Sequence, residues 1–123
     1  MSIPVDVADV AKALEDFGSG YLLTTSAGTV KVVTVEPVPT DGVLLIARPG
    51  RGTLANLSGN ATVTLVFPPL APKGYTLLVD GTAEVTGDDV RVAPTGAVLH
   101  RPASHADGPA APDGCGHDCA PVA

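Results

Sequence analysis

The chain has 123 residues and a formal net charge of −6, a length that suits one domain with one core. The acidic balance argues against a polyanion-binding role, since holding a phosphate backbone needs a basic face to displace counterions, so no nucleic-acid partner is expected. With Phe17, Phe67, Tyr21 and Tyr75 as the aromatics and no Trp, the core is expected to be aliphatic, and the wealth of valine favours strands.

Val7, Val10, Ala11, Leu14 and Phe17 recur at helical spacing, with Asp9, Lys12, Glu15 and Asp16 between them. This predicts an amphipathic helix over residues 5 to 17, opened by Pro4 and stopped by Gly18-Ser19-Gly20. Residues 21 to 26 and 29 to 36 read as a hairpin around Ala27-Gly28. In its second strand both faces are partly apolar, which suits a barrel strand packed on each side. Pro39-Thr40-Asp41-Gly42 supplies a turn, and the unbroken apolar run from 43 to 47 reads as a central strand buried on both sides. Arg48-Pro49-Gly50-Arg51-Gly52 is a basic, glycine-rich loop. A short helix over 53 to 57 follows it, with Thr53 near the cap. Residues 61 to 67 form another strand, and Pro68, Pro69, Pro72 and Gly74 make the next connection a loop. Residues 75 to 79 and 82 to 86 are either a second hairpin around Asp80-Gly81 or one long bent strand. Residues 90 to 92 and 97 to 100 form the last strand, interrupted at Pro94.

From Arg101 onward the chain turns to Pro, Ala, Gly, Asp, His and Cys, with little that could build a core. The expected organisation is a domain over residues 1–100 and a tail over 101–123. No basic segment followed by an apolar run opens the chain and no stretch is long enough to span a bilayer, so a soluble cytoplasmic protein without a membrane partner is expected. In that compartment two cysteines are usually free, metal-bound or catalytic.

Every histidine and cysteine lies within residues 100–123: His100, His105, Cys115, His117 and Cys119. Imidazole and thiolate are the side chains that bind borderline and soft metals best. In an extended chain Cys115, His117 and Cys119 share one face, and Gly114 and Gly116 make the bend that would converge them on one ion easy. With a fourth ligand from His105, from His100, from an acidic side chain such as Asp118 or from a partner subunit, the set suits zinc or another thiophilic metal. The spacing C-x-H-x-C also leaves open a local disulfide, a reactive Cys115 assisted by His117, or a tail without chemistry. His100 itself reads as a strand-end histidine. No serine sits in a nucleophile motif, and no catalytic residue is assigned.

The segment Gly42-Val43-Leu44-Leu45-Ile46-Ala47-Arg48-Pro49-Gly50-Arg51-Gly52-Thr53-Leu54-Ala55-Asn56-Leu57, then Ala61-Thr62-Val63-Thr64-Leu65 and Val79-Asp80-Gly81-Thr82-Ala83-Glu84-Val85, resembles the pyridoxamine 5′-phosphate oxidase-like, FMN-binding split-barrel family. The resemblance spans roughly residues 5 to 100. It implies a mainly β (α+β) fold: a small antiparallel split β-barrel with an N-terminal helix and a short helix after the third strand. It also implies a homodimer with flavin in a cleft between two barrels, and an FMN- or deazaflavin-dependent oxidoreductase acting on a small-molecule substrate. By the same resemblance Lys31, Arg48, Arg51 and Thr53 would hold the cofactor's phosphate. Where the family commonly carries a Ser-Arg-Lys run, this chain has Arg51-Gly52-Thr53. The competing reading is a non-enzymatic barrel without flavin whose tail binds zinc through His105, Cys115, His117 and Cys119.

Overall fold

The computed structural model describes residues 2–102. Among them eight strands form one antiparallel sheet in the order β3-β2-β6-β7-β8-β5-β4, with β1 also paired to β8. The strands are β1 (Ser2–Val5), β2 (Gly20–Ser26), β3 (Thr29–Val35), β4 (Val38–Thr40), β5 (Val43–Ile46), β6 (Thr62–Phe67), β7 (Thr76–Thr86) and β8 (Asp89–His100). The sheet curls into a barrel that stays split, since β3 and β4 remain its two ends. One helix, α2 (Arg51–Gly59), follows β5, so the split-barrel expectation is met.

The N-terminal segment departs from its prediction at both ends. Ser2–Val5 is a strand, in register from Ser2 opposite His100 to Val5 opposite Ala97. Pro4 therefore sits in an extended edge strand, where its missing N–H costs no ladder bond, and not at a helix start. The helix behind it is a short α1 (Val10–Ala13) between 3₁₀ turns at Val7–Asp9 and Leu14–Asp16. Val10 is its one fully buried side chain, too little apolar contact to hold a longer regular helix.

The first hairpin follows from its turn. Ala27 and Gly28 both take positive φ, 50° and 82°, as a two-residue turn must to match the twist of its strands. Asp41 and Gly42, at 48° and 85°, do the same between β4 and β5, so Pro39 and Thr40 belong to a short strand rather than to a turn. β5 is not central. It pairs with β8 and the three-residue β4, and it alternates fully buried Leu44 and Ile46 with half-buried Val43 and Leu45.

Residues 76 to 86 are one strand, the second of the two readings. The register between β7 and β8 shifts at Asp80/Gly81: Gly81 faces Pro94 and Asp80 faces Gly96, leaving Thr95 as the extra residue of a bulge. Pro94 thus bends β8 without ending it. A Cβ on Gly81 would lie 2.6 Å from Val92 Cγ1 and 2.8 Å from the Ala93 carbonyl oxygen. Gly81→Ala is accordingly expected to destabilise the fold by about 1–3 kcal/mol, read as a lower urea midpoint. An unchanged midpoint would mean that the bulge yields freely.

The core lies between the inner sheet face and the helices. Leu22, Leu65, Phe67, Leu77, Val79, Val90 and Val92 are fully buried, joined by Val10 and by Leu57 of α2. It is aliphatic except for Phe67, whose ring lies 6.5 Å from that of Phe17 at 57°. The outer face differs. Val30 and Val32 of β3 are 55% and 53% exposed and Tyr21 of β2 is 42% exposed, so within one chain β3 is covered on one side only, contrary to the expectation for residues 29 to 36.

Candidate functional site

The basic loop leads directly into α2, and Gly50 caps the helix with φ 110° and no side-chain cap. At the helix start the Leu54 N–H donates to the Gly50 carbonyl at 3.1 Å. The N–H groups of Arg51, Gly52 and Thr53 therefore precede any carbonyl the helix could offer them. Partial positive charge gathers at such an end.

Two arginines flank this end. Arg48, Gly50, Arg51, Leu54 and Asp88 line an open cavity of about 260 Å³. Arg48 holds φ 40°, and its backbone N–H donates to Asp89 Oδ1 at 3.0 Å, which ties the loop to the β7–β8 turn. Lys31 arrives from β3. A Cβ on Gly52 would fall 2.8 Å from Lys31 Cε and 3.2 Å from its Nζ, so the lysine side chain lies across the first turn of α2. Lys31 also stands opposite Thr24 in the hairpin register, and Thr24 Oγ1 accepts a hydrogen bond from Asn56 Nδ2 at 3.1 Å. That bond, with Asn60 Nδ2 donating to Thr25 Oγ1 at 2.8 Å, fixes α2 on β2.

Lys31, Arg48 and Arg51 thus gather around one helix start. Thr53 is placed differently from its prediction. The helix begins two residues earlier than expected, so Thr53 is inside it rather than at the cap, fully buried. Its hydroxyl finds no hydrogen-bond partner among the described residues, and it does not line the cavity. Asp88 had no local signal, because its place beside Arg51 comes from the β7–β8 turn alone.

A second cavity of about 410 Å³ is walled by Val38, Leu45, Ala47 and Val90 with Glu36 and Arg91 among its polar lining. The two cavities share no lining residue, but Ala47 and Asp89 of this one are chain neighbours of Arg48 and Asp88 in the other. A volume in this range is usual for a small-molecule site.

The metal residues proposed from sequence, His105, Cys115, His117 and Cys119, lie outside the described residues. Among the described residues no group of three or more His, Cys, Asp or Glu side chains could hold a metal. No described helix is long and apolar enough to cross a membrane.

No protein-family model matches the chain. It is 40% identical over 132 aligned positions to the uncharacterized protein Mb0449c of Mycobacterium bovis, covering 94% of this chain and 92% of that protein. The uncharacterized protein MT0457 of Mycobacterium tuberculosis matches to the same extent. Among solved structures, a FAD-binding protein from Mesorhizobium loti superposes with a TM-score of 0.64 at 14% identity, over 82% of this chain and 99% of that one. The FAD-binding protein of Mycobacterium smegmatis gives 0.58 at 20% identity, over 82% and 100%. A protein assigned as a pyridoxamine 5′-phosphate oxidase, from Corynebacterium glutamicum, gives 0.64 at 12% identity, over 83% and 100%.

Proposed function

We propose that this chain, which belongs to the same family as the mycobacterial proteins Mb0449c and MT0457 and has the split-barrel fold of FAD-binding and pyridoxamine 5′-phosphate oxidase-like proteins, is an oxidoreductase-like protein that binds a flavin nucleotide, FMN in the first instance. The observation that carries the reading is the convergence of Arg48, Arg51 and Lys31 on the uncapped start of α2. Fixed guanidinium donors, an ammonium and free helix N–H groups are the chemistry a phosphate monoester requires. Arg48 and Arg51 bind the phosphate from the cavity wall, and Lys31 reaches it across Gly52. Thr53 contributes its backbone N–H, since its hydroxyl is buried. The apolar cavity lined by Val38 and Leu45, whose Ala47 precedes Arg48 in the chain, orients the ring, with Arg91 and Glu36 as its polar neighbours. When bound, the flavin supplies the electron transfer to or from a small-molecule substrate; the protein supplies position and charge.

A titration tests this directly. Addition of FMN to the purified protein is expected to quench flavin fluorescence saturably. A colourless preparation that takes up no FMN overturns the reading.

The exposed face of β2 and β3 supports a homodimer. Tyr21, Leu23 and Thr25 stand opposite Thr34, Val32 and Val30, and so share one side of the hairpin. A patch this apolar is usually covered by a partner. Val32→Glu is expected to shift a dimer toward monomer in light scattering after size exclusion. A chain that is already monomeric before substitution removes the dimer from the proposal.

A further inference from the structure

We propose that Asp89, the first residue of β8, is a positioning residue for the anion site: its carboxylate holds Arg48 in a strained backbone conformation at the wall of the phosphate cavity. The inference rests on the phosphate-binding role given above to Arg48 and Arg51. Arg48 has φ 40°, in the left-handed region where a Cβ crowds the following carbonyl and which glycine occupies freely. Gly50 and Gly52 stand in the same loop, yet position 48 carries a long charged side chain. A residue other than glycine stays in this region only when its surroundings hold it there.

The hold comes from across the sheet. The β5–β8 ladder ends at Ile46 opposite Val90, both buried. Two residues beyond Ile46, the Arg48 N–H donates to Asp89 Oδ1 at 3.0 Å. The carboxylate thus takes up a loop donor just past the last pair of the ladder, from a residue anchored beside the fully buried Val90. A support carried on a strand sets geometry better than one carried on a loop. Asp88 lines the cavity, but the bond to the Arg48 N–H belongs to Asp89. Both carboxylates place negative charge near a site for anions, so charge alone would oppose binding. What Asp89 contributes is therefore the hydrogen bond, and bond and charge can be removed separately.

Inorganic phosphate is the probe, because its binding does not depend on the flavin reading. It is titrated at low salt into isotopically labelled full-length protein, and the amide signals of Arg51, Gly52 and Thr53 are followed. Asp89 is exposed, so its substitution leaves the core intact. Asp89→Ala is expected to weaken phosphate about fivefold, the usual net contribution of one hydrogen bond, and to speed hydrogen exchange at the Arg48 amide. Asp89→Asn keeps an acceptor oxygen without the charge and is expected to restore both. Asp88→Ala, which removes a charge but not the bond, is expected to leave the Arg48 amide protected. The strain is read at position 48 itself: Arg48→Gly is expected to show a higher urea midpoint than Arg48→Ala, the reverse of the order at an ordinary position. Parental phosphate affinity in Asp89→Ala, an equal loss in Asp89→Asn, an Arg48→Gly variant no more stable than Arg48→Ala, or a parent whose three amides ignore phosphate each overturns the proposal. A parent that shows the full Asp89 pattern with phosphate but takes up no FMN overturns the flavin reading and upholds the positioning role.

Discussion

Phe67→Ala is expected to lower the free energy of unfolding by about 3–5 kcal/mol, measured by urea denaturation with the parent as reference. The ring is fully buried at the end of β6 and meets Phe17 at 6.5 Å. Its surroundings cannot close over the space it would leave. β2 presents Gly20 there, where a Cβ would stand only 2.5 Å from the Phe67 ring, so the ring already occupies the volume that a neighbour's side chain would otherwise fill. A sheet backbone collapses far less readily than a side chain repacks, and the cavity term is retained nearly whole. Against a total stability of about 5–15 kcal/mol for a domain, the loss is large enough to unfold the protein at moderate temperature. Phe67→Leu, which keeps most of the volume, is expected to cost less than half as much. A loss of under about 1 kcal/mol in the alanine variant would show that α1 and the loop after it can settle into the gap.

The double variant Arg48→Ala, Arg51→Ala is expected to weaken FMN by at least 100-fold. Hydrogen bonds to a charged partner contribute about 1.5–3 kcal/mol each, and about 1.4 kcal/mol corresponds to a factor of ten. Either single substitution is expected to cost about tenfold, because Lys31 and the N–H groups at the start of α2 still face the anion. Riboflavin supplies the control. It carries the ring without the phosphate, so its affinity is expected to be the same in parent and variant. Equal losses for both ligands would place the arginines in the support of the ring or of the fold. The difference between FMN and riboflavin should also shrink with rising salt, since the site is open to solvent.

What the sequence disclosed was mainly local. The first hairpin was legible because Ala27-Gly28 stands between two valine- and threonine-rich runs, and the basic loop because Arg48 and Arg51 are near neighbours in the chain. β1 was not legible. Four residues containing Pro4 have no strand signal of their own, and they are strands only because the far end of β8 is there to pair with them. The interruption expected at Pro94 was real but of another kind: apolar alternation runs through Val90 and Val92, skips a step at Thr95, and resumes at Ala97 and Leu99. A period of two broken by one residue reads as an ending, whereas in the sheet it is a bulge. At the site, Arg48 and Arg51 were found from their positions, but the approach of Lys31 to Gly52 and the presence of Asp88 are products of folding. Thr53 shows the limit most clearly. A shift of two residues in the helix start changes a surface cap into a buried hydroxyl.

The pairing of β1 with β8 sets the order in which the barrel can be completed. Ser2 and His100 are 98 positions apart, so β1 has no partner until nearly the whole of the sheet that follows it has been synthesised. β2, β3 and β6 can assemble earlier, through contacts already in hand. At about 5–20 residues per second, β1 waits for seconds with its edge unpaired. Contacts of such long separation form late. The N-terminal strand is therefore the closing latch of biosynthesis, and a bulky fusion at that end would hinder the final step of folding rather than its beginning.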